Sequence, residues 1–272
     1  MCVVPIRNSA VFVVVLLVTA INSFSQVQGG GSVSSGGIGK AYEAAGKSAA
    51  ARELQRRIDG GLLKSAVARS KGGRPKTAQL RPSSSSPQVP GRPAAIPSNS
   101  NTPAFTEFTP ARNTGFETTF ANSIGGTEQE KEFIRQVVGA TKTAFEQEVS
   151  AKGRPNNLAA AMTFFVATMA TVYHNDPEPS DAAIDKLWDG LNETLNELPG
   201  VAGMTDAEKQ IMYDTLVAYS GLVLTGHLVA QQTGDPDTRK IYKALAGVLI
   251  QTVLKTDPEK LRFTSTGLVV GG

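Results

Sequence analysis

The stretch from Pro155 to Pro179, PNNLAAAMTFFVATMATVYHNDPEP, decides how the chain folds. Between residues 156 and 175 no side chain carries a full charge, and His174 is the one group in the run that titrates near neutral pH. Apolar or small side chains fall on every face at helical spacing, so a helix here must be surrounded on all sides. Either lipid or neighbouring helices meet that requirement.

The composition of this stretch favours neighbouring helices. The uncharged run is close to the lower length limit for a membrane span, and Ala and Thr favour insertion far less than Leu or Ile. Alanines also let adjacent helices approach closely, and amphipathic segments with capping signals flank the run. We therefore predict the buried central helix of a soluble bundle, capped at its start by Asn156 or Asn157.

Local capping signals divide the C-terminal half into five helices. TEQE (127–130) and TDAE (205–208) are capping boxes, in which the Thr hydroxyl and the Glu carboxylate each accept a backbone amide. Ser180 and Asp235-Pro236 mark two further starts. The predicted helices are 127–151, 157–173, 180–198, 205–233 and 235–257, with a helical turn at 258–263. The expected fold is all-α, a five-helix orthogonal or up-down bundle over residues 127–268, without a sheet.

The N-terminus has the pattern of a secretory signal peptide. Arg7 precedes the apolar run AVFVVVLLVTAI (10–21), and Ser23 and Ser25 fit the small positions before a cleavage site. Residues 1–25 are the predicted signal, with an uncleaved anchor as the alternative. The one cysteine, Cys2, would leave with it, which excludes disulfides, thiol catalysis and Cys-ligated zinc from the mature chain. The expected location is periplasmic or secreted.

Residues 26–104 form a basic, Gly/Ser/Pro-rich arm, predicted to be disordered apart from a short helix at 40–58 and one or two further turns in LLKSAVARS. Residues 105–126 differ from the arm, since four phenylalanines fall within them. We expect an extended segment whose rings pack on the bundle, with a partner-binding strip as the alternative.

Charge is divided between the two halves of the chain. Residues 27–126 hold 13 Lys/Arg against 5 Asp/Glu, whereas residues 127–272 hold 13 against 19. The basic part suggests weak contact with a polyanion or a membrane surface through residues 40–92, or simply a solubilising linker. Specific nucleic-acid binding and a transmembrane domain after signal cleavage are not expected.

Motifs for catalysis or metal binding are weak. No Gly-x-Ser-x-Gly elbow accompanies the two histidines, and two prolines and a helix cap explain the acidic turn at 174–181. No cofactor, metal or catalytic residue is predicted. Six polar residues in apolar helices instead suggest either a buried network that fixes helix register or a ligand pocket. They are Asn157, Gln210, Tyr213, Asp214, Tyr219 and His227.

Several segments together resemble a known family. NNLAAAMTFFVATMATVY, the DPEPSD turn, AEKQIMYDTLVAYSGLVLTGH, DPEKLRFTSTGL and the Phe-x-x-Phe-Thr-Pro arm are similar to an uncharacterised bacterial family of exported all-helical domains, over residues 105–268. The resemblance implies export and an all-α fold, and no activity. The function expected first is a non-enzymatic interaction or scaffold module with an envelope or extracellular protein partner. The alternatives are a bundle that binds an apolar or amphipathic small molecule, and an enzyme acting on envelope polymers.

Overall fold

The computed structural model describes residues 61–71, 104–112 and 114–271. The predicted signal peptide, the segment 40–58 and most of the basic arm lie outside these residues. The described part is mostly helical, with eight α-helices and one two-stranded sheet. In chain order the helices are α1 (Leu62–Ser70), α2 (Phe116–Ile124), α3 (Glu128–Ala151), α4 (Leu158–His174), α5 (Asp181–Glu197), α6 (Pro199–Ala202), α7 (Asp206–Thr233) and α8 (Pro236–Leu249). A π-helical segment (Ile250–Leu254), a 3-10 turn (Pro258–Lys260), β1 (Leu261–Thr264) and β2 (Gly267–Val270) follow.

Helix α4 is the axis of the fold. Thirteen of its residues are buried, and α5, α7 and α8 all pack against it. Asn157 caps the helix, since its side chain accepts the Ala160 amide at 3.1 Å, and Asn175 ends it in the left-handed conformation. The apolar stretch is thus enclosed by protein, and none of the helices within the described ranges has the length and apolarity to cross a membrane.

The capping signals identified the helix starts correctly. Thr127 and Thr205 both form complete capping boxes, Ser180 accepts the Ala183 amide, and Asp235 accepts the Asp237 and Thr238 amides. Each of these signals acts within one helical turn, so long-range packing does not alter it.

The five-helix prediction omits α1, α2 and α6. Leu62, Leu63, Ala66 and Val67 of α1 are buried against α5 and β2, although we expected only one or two turns of helix there within a disordered arm. Arg69 fixes the end of α1 by pairing with Glu197 on α5. Residues 116–124 are helical rather than extended and pack on α3.

Residues 104–112, which we call the strap, cross the starts of α4 and α7. Glu107 forms an isolated antiparallel bridge with Asn157, supported by the bond from the Leu158 amide to the Thr106 carbonyl at 2.8 Å. The Phe108 ring meets Tyr213 edge-on with centroids 5.3 Å apart. The strap therefore contributes Phe108 to the core, with Phe105 packed against it.

The C-terminus forms a hairpin, where a helical turn and tail were expected. Only Pro258–Lys260 are helical, and β1 then pairs antiparallel with β2, Leu261 opposite Val270. Ser265 and Thr266 form the turn, and Gly267 opens the second strand at φ 129°. Ser-Thr is not one of the usual two-residue hairpin turns, so the local sequence gives little indication of this hairpin. His174 holds the hairpin to α4, because its Nε2 lies 2.8 Å from the Leu261 carbonyl oxygen.

Candidate functional site

A cavity of about 350 Å³ opens between α3, α4, α5, α7 and the loop at 176–178. The cavity lies where α4 presents a face of mostly small side chains. Residues 160, 163, 167, 168 and 171 on that face are Ala or Thr, and Phe164 is the one large side chain among them. Such short side chains cannot fill the space between four helices. On this face, then, the small residues of α4 create a cavity instead of a close helix contact.

Aromatic and aliphatic side chains of the surrounding helices complete the walls. Phe145 of α3 stacks on Phe164 with centroids 5.0 Å apart, and Ile184 and Trp188 of α5 close another side. Helix α7 contributes residues 224, 227, 228 and 231, which lie on one helical face. The lining is predominantly apolar, as it is in most small-molecule sites.

Two cations line the cavity, and each already has partners. Lys152 Nζ lies 3.3 Å from a Glu148 carboxylate oxygen and 3.7 Å from one of Asp181. Arg154 donates to Asp185 at 2.8 Å and stacks on the Trp188 ring at 3.9 Å from its centroid. Each cation is therefore already paired with at least one carboxylate.

Carboxylates outnumber cations around the same opening. Four acidic side chains line it, against the two cations: Glu148, Asp176, Glu178 and Asp181. Partial desolvation raises the pKa of Glu178, and the negative charges of Asp181 and Glu148 raise that pKa further. The electrostatic field at the opening is therefore unfavourable to anions.

Two residues of the cavity lining, His227 and Trp188, each have a ring nitrogen that is itself buried. His227 is 3% exposed, and its Nε2 lies 2.8 Å from the amide nitrogen of Gln231. The same amide nitrogen donates to Asn175 Oδ1 at 3.2 Å. His227 Nδ1 and Trp188 Nε1 are both buried and have no hydrogen-bond partner in the described part of the protein. Buried polar groups of this kind are uncommon and call for an explanation.

The six residues predicted from sequence do not form one network. Asn157 and Gln210 both hold the strap: Asn157 Nδ2 donates to Thr106 Oγ1 at 3.2 Å, and Gln210 bonds both the amide and the carbonyl of Ala111, at 2.7 and 3.3 Å. Of the six, only His227 lines the cavity.

Tyr213, Asp214 and Tyr219 lie in the interior away from the cavity lining. Asp214 Oδ1 is 2.9 Å from Lys142 Nζ of α3, and the Asp214 side chain is 2% exposed; burial raises the pKa of this carboxyl, and Lys142 opposes that rise. Burial also raises the pKa of both phenols. Tyr219 packs edge-on to Phe120 of α2, with centroids 5.0 Å apart. Of these three residues, Asp214 joins α7 to α3 through Lys142, whereas the buried Tyr213 hydroxyl has no hydrogen-bond partner in the described part of the protein. The register-fixing interpretation therefore stays a prediction.

A family model matches residues 6–271 of the chain. The chain belongs to DUF6683, a family of unknown function. No curated protein and no solved structure gives a match. The matched range includes α1 and the whole of the basic arm, so the family extends well beyond the residues 105–268 that carried the resemblance.

Family membership assigns no chemistry to any residue, so the site has to be judged on its geometry. Within residues 61–71, 104–112 and 114–271, no three His, Cys, Asp or Glu side chains lie close enough to share a metal ion. Trp188 was not among the site residues predicted from the sequence. The sequence signal for the cavity lay in two helix faces. The face of α4 has Ala and Thr residues, and the facing side of α7 has Leu, His and Gln.

Proposed function

We propose that this DUF6683 protein is a non-enzymatic binding protein, and that its ligand is a small, largely apolar molecule held in the cavity between α3, α4, α5 and α7. The observation that carries the proposal is the cavity itself, with a volume of about 350 Å³. Natural ligand sites begin at roughly 300 Å³ and are mostly apolar with a few polar groups. At about 30 Å³ per water molecule, the cavity suits a compound of roughly a dozen non-hydrogen atoms.

The surface gives less support to the alternative in which the fold is mainly a protein-docking module. Ile211, at 50% exposure, is the large hydrophobic side chain that is exposed in the described ranges. A docking site normally presents a contiguous apolar patch of several hundred Å². We propose further that binding takes place after export, in the periplasm or outside the cell, and the pattern of Arg7 followed by the apolar run 10–21 supports this location.

Native mass spectrometry of the full chain, purified from its own host, tests the binding proposal. We expect the protein to carry a small organic molecule that is released on denaturation. Ala167→Phe places a ring in the cavity and should abolish the retained mass. The matched control is Ala140→Phe, because Ala140 is exposed on α3 and is not among the lining residues; it should retain the molecule.

Urea unfolding of the same variants decides between a binding site and a packing defect. If the cavity serves a ligand, Ala167→Phe should lose the ligand while its far-UV circular dichroism stays that of a folded helical protein. If no molecule is retained by any of the proteins, and Ala167→Phe only increases the free energy of unfolding, the cavity is a packing defect and the proposal is wrong.

A further inference from the structure

Three carboxylates from three different segments of the chain line one cavity. Glu148 belongs to the last turn of α3, Glu178 to the loop after α4, and Asp181 to the start of α5. Lys152 pairs with two of them, since its Nζ lies 3.3 Å from a Glu148 oxygen and 3.7 Å from one of Asp181. One lysine among three carboxylates leaves an excess of negative charge beside an apolar space.

Glu178 is the carboxylate of this group that has no partner. No residue within the described ranges forms a salt bridge or a hydrogen bond with its side chain, and the neighbouring charges that raise its pKa after desolvation are those of Asp181 and Glu148. The side chain is exposed, so a head group at the opening can reach it.

Local structure explains the other two carboxylates but not Glu178. Glu148 forms an i,i+4 ion pair within α3, and Asp181, at the first position of α5, complements the positive end of that helix. Glu178 caps no helix, and it lies between Pro177 and Pro179, whose rings restrict the backbone of the loop. A carboxylate without a local function at the entrance to an apolar cavity is suited to a cation that the occupant carries.

The charge of the whole lining favours the same kind of occupant. The lining holds four carboxylates and two cations, which is a net charge of −2 when His227 is neutral, and burial lowers the pKa of that imidazole. A cavity lined by one sign of charge attracts ligands of the opposite sign, and partial exclusion of water strengthens the attraction. A cationic head group is therefore drawn to the opening, whereas an anionic one is repelled.

We propose that the ligand is an organic monocation whose apolar body lies in the cavity and whose ammonium group binds the carboxylate of Glu178. This inference rests on the binding function proposed above and specifies the charge and the head group of the ligand. An ammonium group has three N–H donors and no acceptor, so it matches an opening where carboxylates predominate. Its charge also reduces the repulsion among them, which an uncharged or anionic head group does not do.

Three probes of matched size separate the head groups: nonylamine, nonan-1-ol and octanoate. Isothermal titration calorimetry of the full chain measures affinity, and the fluorescence of Trp188, which lines the cavity and is the one tryptophan in the chain, reports occupancy. We expect nonylamine to bind roughly ten-fold more tightly than nonan-1-ol, and octanoate to bind most weakly. Added salt should weaken the binding of nonylamine and leave that of nonan-1-ol unchanged.

Glu178→Gln tests the proposed partner of the ammonium group, because it removes the charge and keeps the size of the side chain. We expect nonylamine binding to weaken by roughly five- to ten-fold, which is the loss of one charge-assisted hydrogen bond, while nonan-1-ol binding stays the same. The matched control is Glu132→Gln, which removes the same charge near the other end of α3, outside the cavity lining. It should leave the affinities of all three probes unchanged.

Glu178→Lys reverses the charge at the same position. If Glu178 sets the charge preference of the cavity, octanoate should bind more tightly to this variant than to the wild type, and nonylamine less tightly. A purely structural role of Glu178 would weaken all the probes together, so this reversal separates recognition from folding.

The outcomes distinguish this inference from the function on which it rests. If none of the probes changes Trp188 fluorescence and no native ligand is retained, the binding function itself fails, and this inference with it. If nonan-1-ol or octanoate binds the wild type as tightly as nonylamine, the cavity binds ligands and the monocation is the wrong ligand class. Equal losses of nonylamine affinity in Glu178→Gln and Glu132→Gln would overturn the assignment of Glu178 as the partner.

Discussion

Gly190 of α5 lies so close to Ala66 of α1 that a methyl group on Gly190 would overlap the Ala66 carbonyl oxygen. Around this crossing Leu63, Ala66 and Val67 of α1 are buried, and Arg69 pairs with Glu193 and Glu197 on α5. The absence of a side chain at residue 190 therefore sets the distance between the two helices. Helix α1 belongs to the folded domain because α5 provides a surface shaped for its backbone.

Gly190→Ala should displace α1. Since the overlap is with backbone, which cannot rotate away, we expect a loss of about 1–3 kcal/mol in the free energy of unfolding. Hydrogen exchange of the amides of residues 62–70 should accelerate more than that of α4. Gly139→Ala on α3 is the control, because nothing lies within 4 Å of its added methyl group; helix propensity predicts a gain of up to about 1 kcal/mol there. Equal effects of the two changes would contradict the close-contact explanation.

Gln210→Met should release the C-terminal end of the strap. Gln210 bonds both the amide and the carbonyl of Ala111, and Met retains the length of the side chain without its polar groups. Because Ala111 is exposed and can bond water instead, the expected cost is only about 0.5–1.5 kcal/mol. The sharper measurement is hydrogen exchange at the Ala111 amide, which should lose its protection. Gln232→Met, at an exposed position of the same helix, should leave that amide unchanged.

Gly226→Ala should test how closely α7 and α8 approach. A methyl group at 226 would overlap the ring of Tyr242, which is 4% exposed, so we expect a loss of about 1–3 kcal/mol from overpacking. Shortening the opposing side chain with Tyr242→Val should make the same Gly226→Ala change much less costly. A double-mutant cycle in urea should give a coupling energy of about 0.5–3 kcal/mol. Additive single effects would show that the two residues do not constrain each other.

What could be predicted from the sequence is what short-range chemistry determines. Thr127, Thr205 and Asp235 start helices through bonds to amides two or three residues away, and these starts are confirmed. Gly190, Gly221 and Gly226 have functions that depend on residues far along the chain, namely Ala66, Thr141 and Tyr242. No local pattern in the sequence identifies the residue that lies opposite each glycine. The helix α1 was underestimated for the same reason, since its stability comes from α5.

The candidate site was partly predictable for similar reasons. Gln210 and Asp214 lie four residues apart on α7, which suggested a shared network. A side-chain hydrogen bond does link Gln210 to Asp214, but Gln210 also bonds the strap and Asp214 pairs with Lys142. His227 was identifiable as a polar residue in an apolar helix. The cavity was not identifiable from the sequence, because a void depends on how four helices fit together. Alanines such as Ala160 and Ala167 look the same in a sequence whether they line a void or a tight contact.

Acid should destabilise the protein through His227. Burial and Arg239 hold the folded-state pKa of His227 below its ordinary value of 6.5, so below about pH 6.5 the unfolded chain binds a proton that the folded protein does not. Stability therefore falls as the pH drops from 6.5 toward the lowered pKa, with a slope of at most about 1.4 kcal/mol per pH unit. A substitution of His227 leaves in place the charged groups that line the cavity, which are Glu148, Lys152, Arg154, Asp176, Glu178 and Asp181.

Urea unfolding of the wild type and of His227→Asn, measured from pH 7.5 to 4.5, isolates this contribution. Asn does not titrate, so the difference between the two free energies of unfolding should be constant above about pH 7 and should shift in favour of the variant as the pH falls below about 6.5. Because the other titrating groups are present in both proteins, their contributions cancel in the difference. A difference that stays flat over the whole range would show that His227 titrates alike in the folded and unfolded chain and would contradict the prediction.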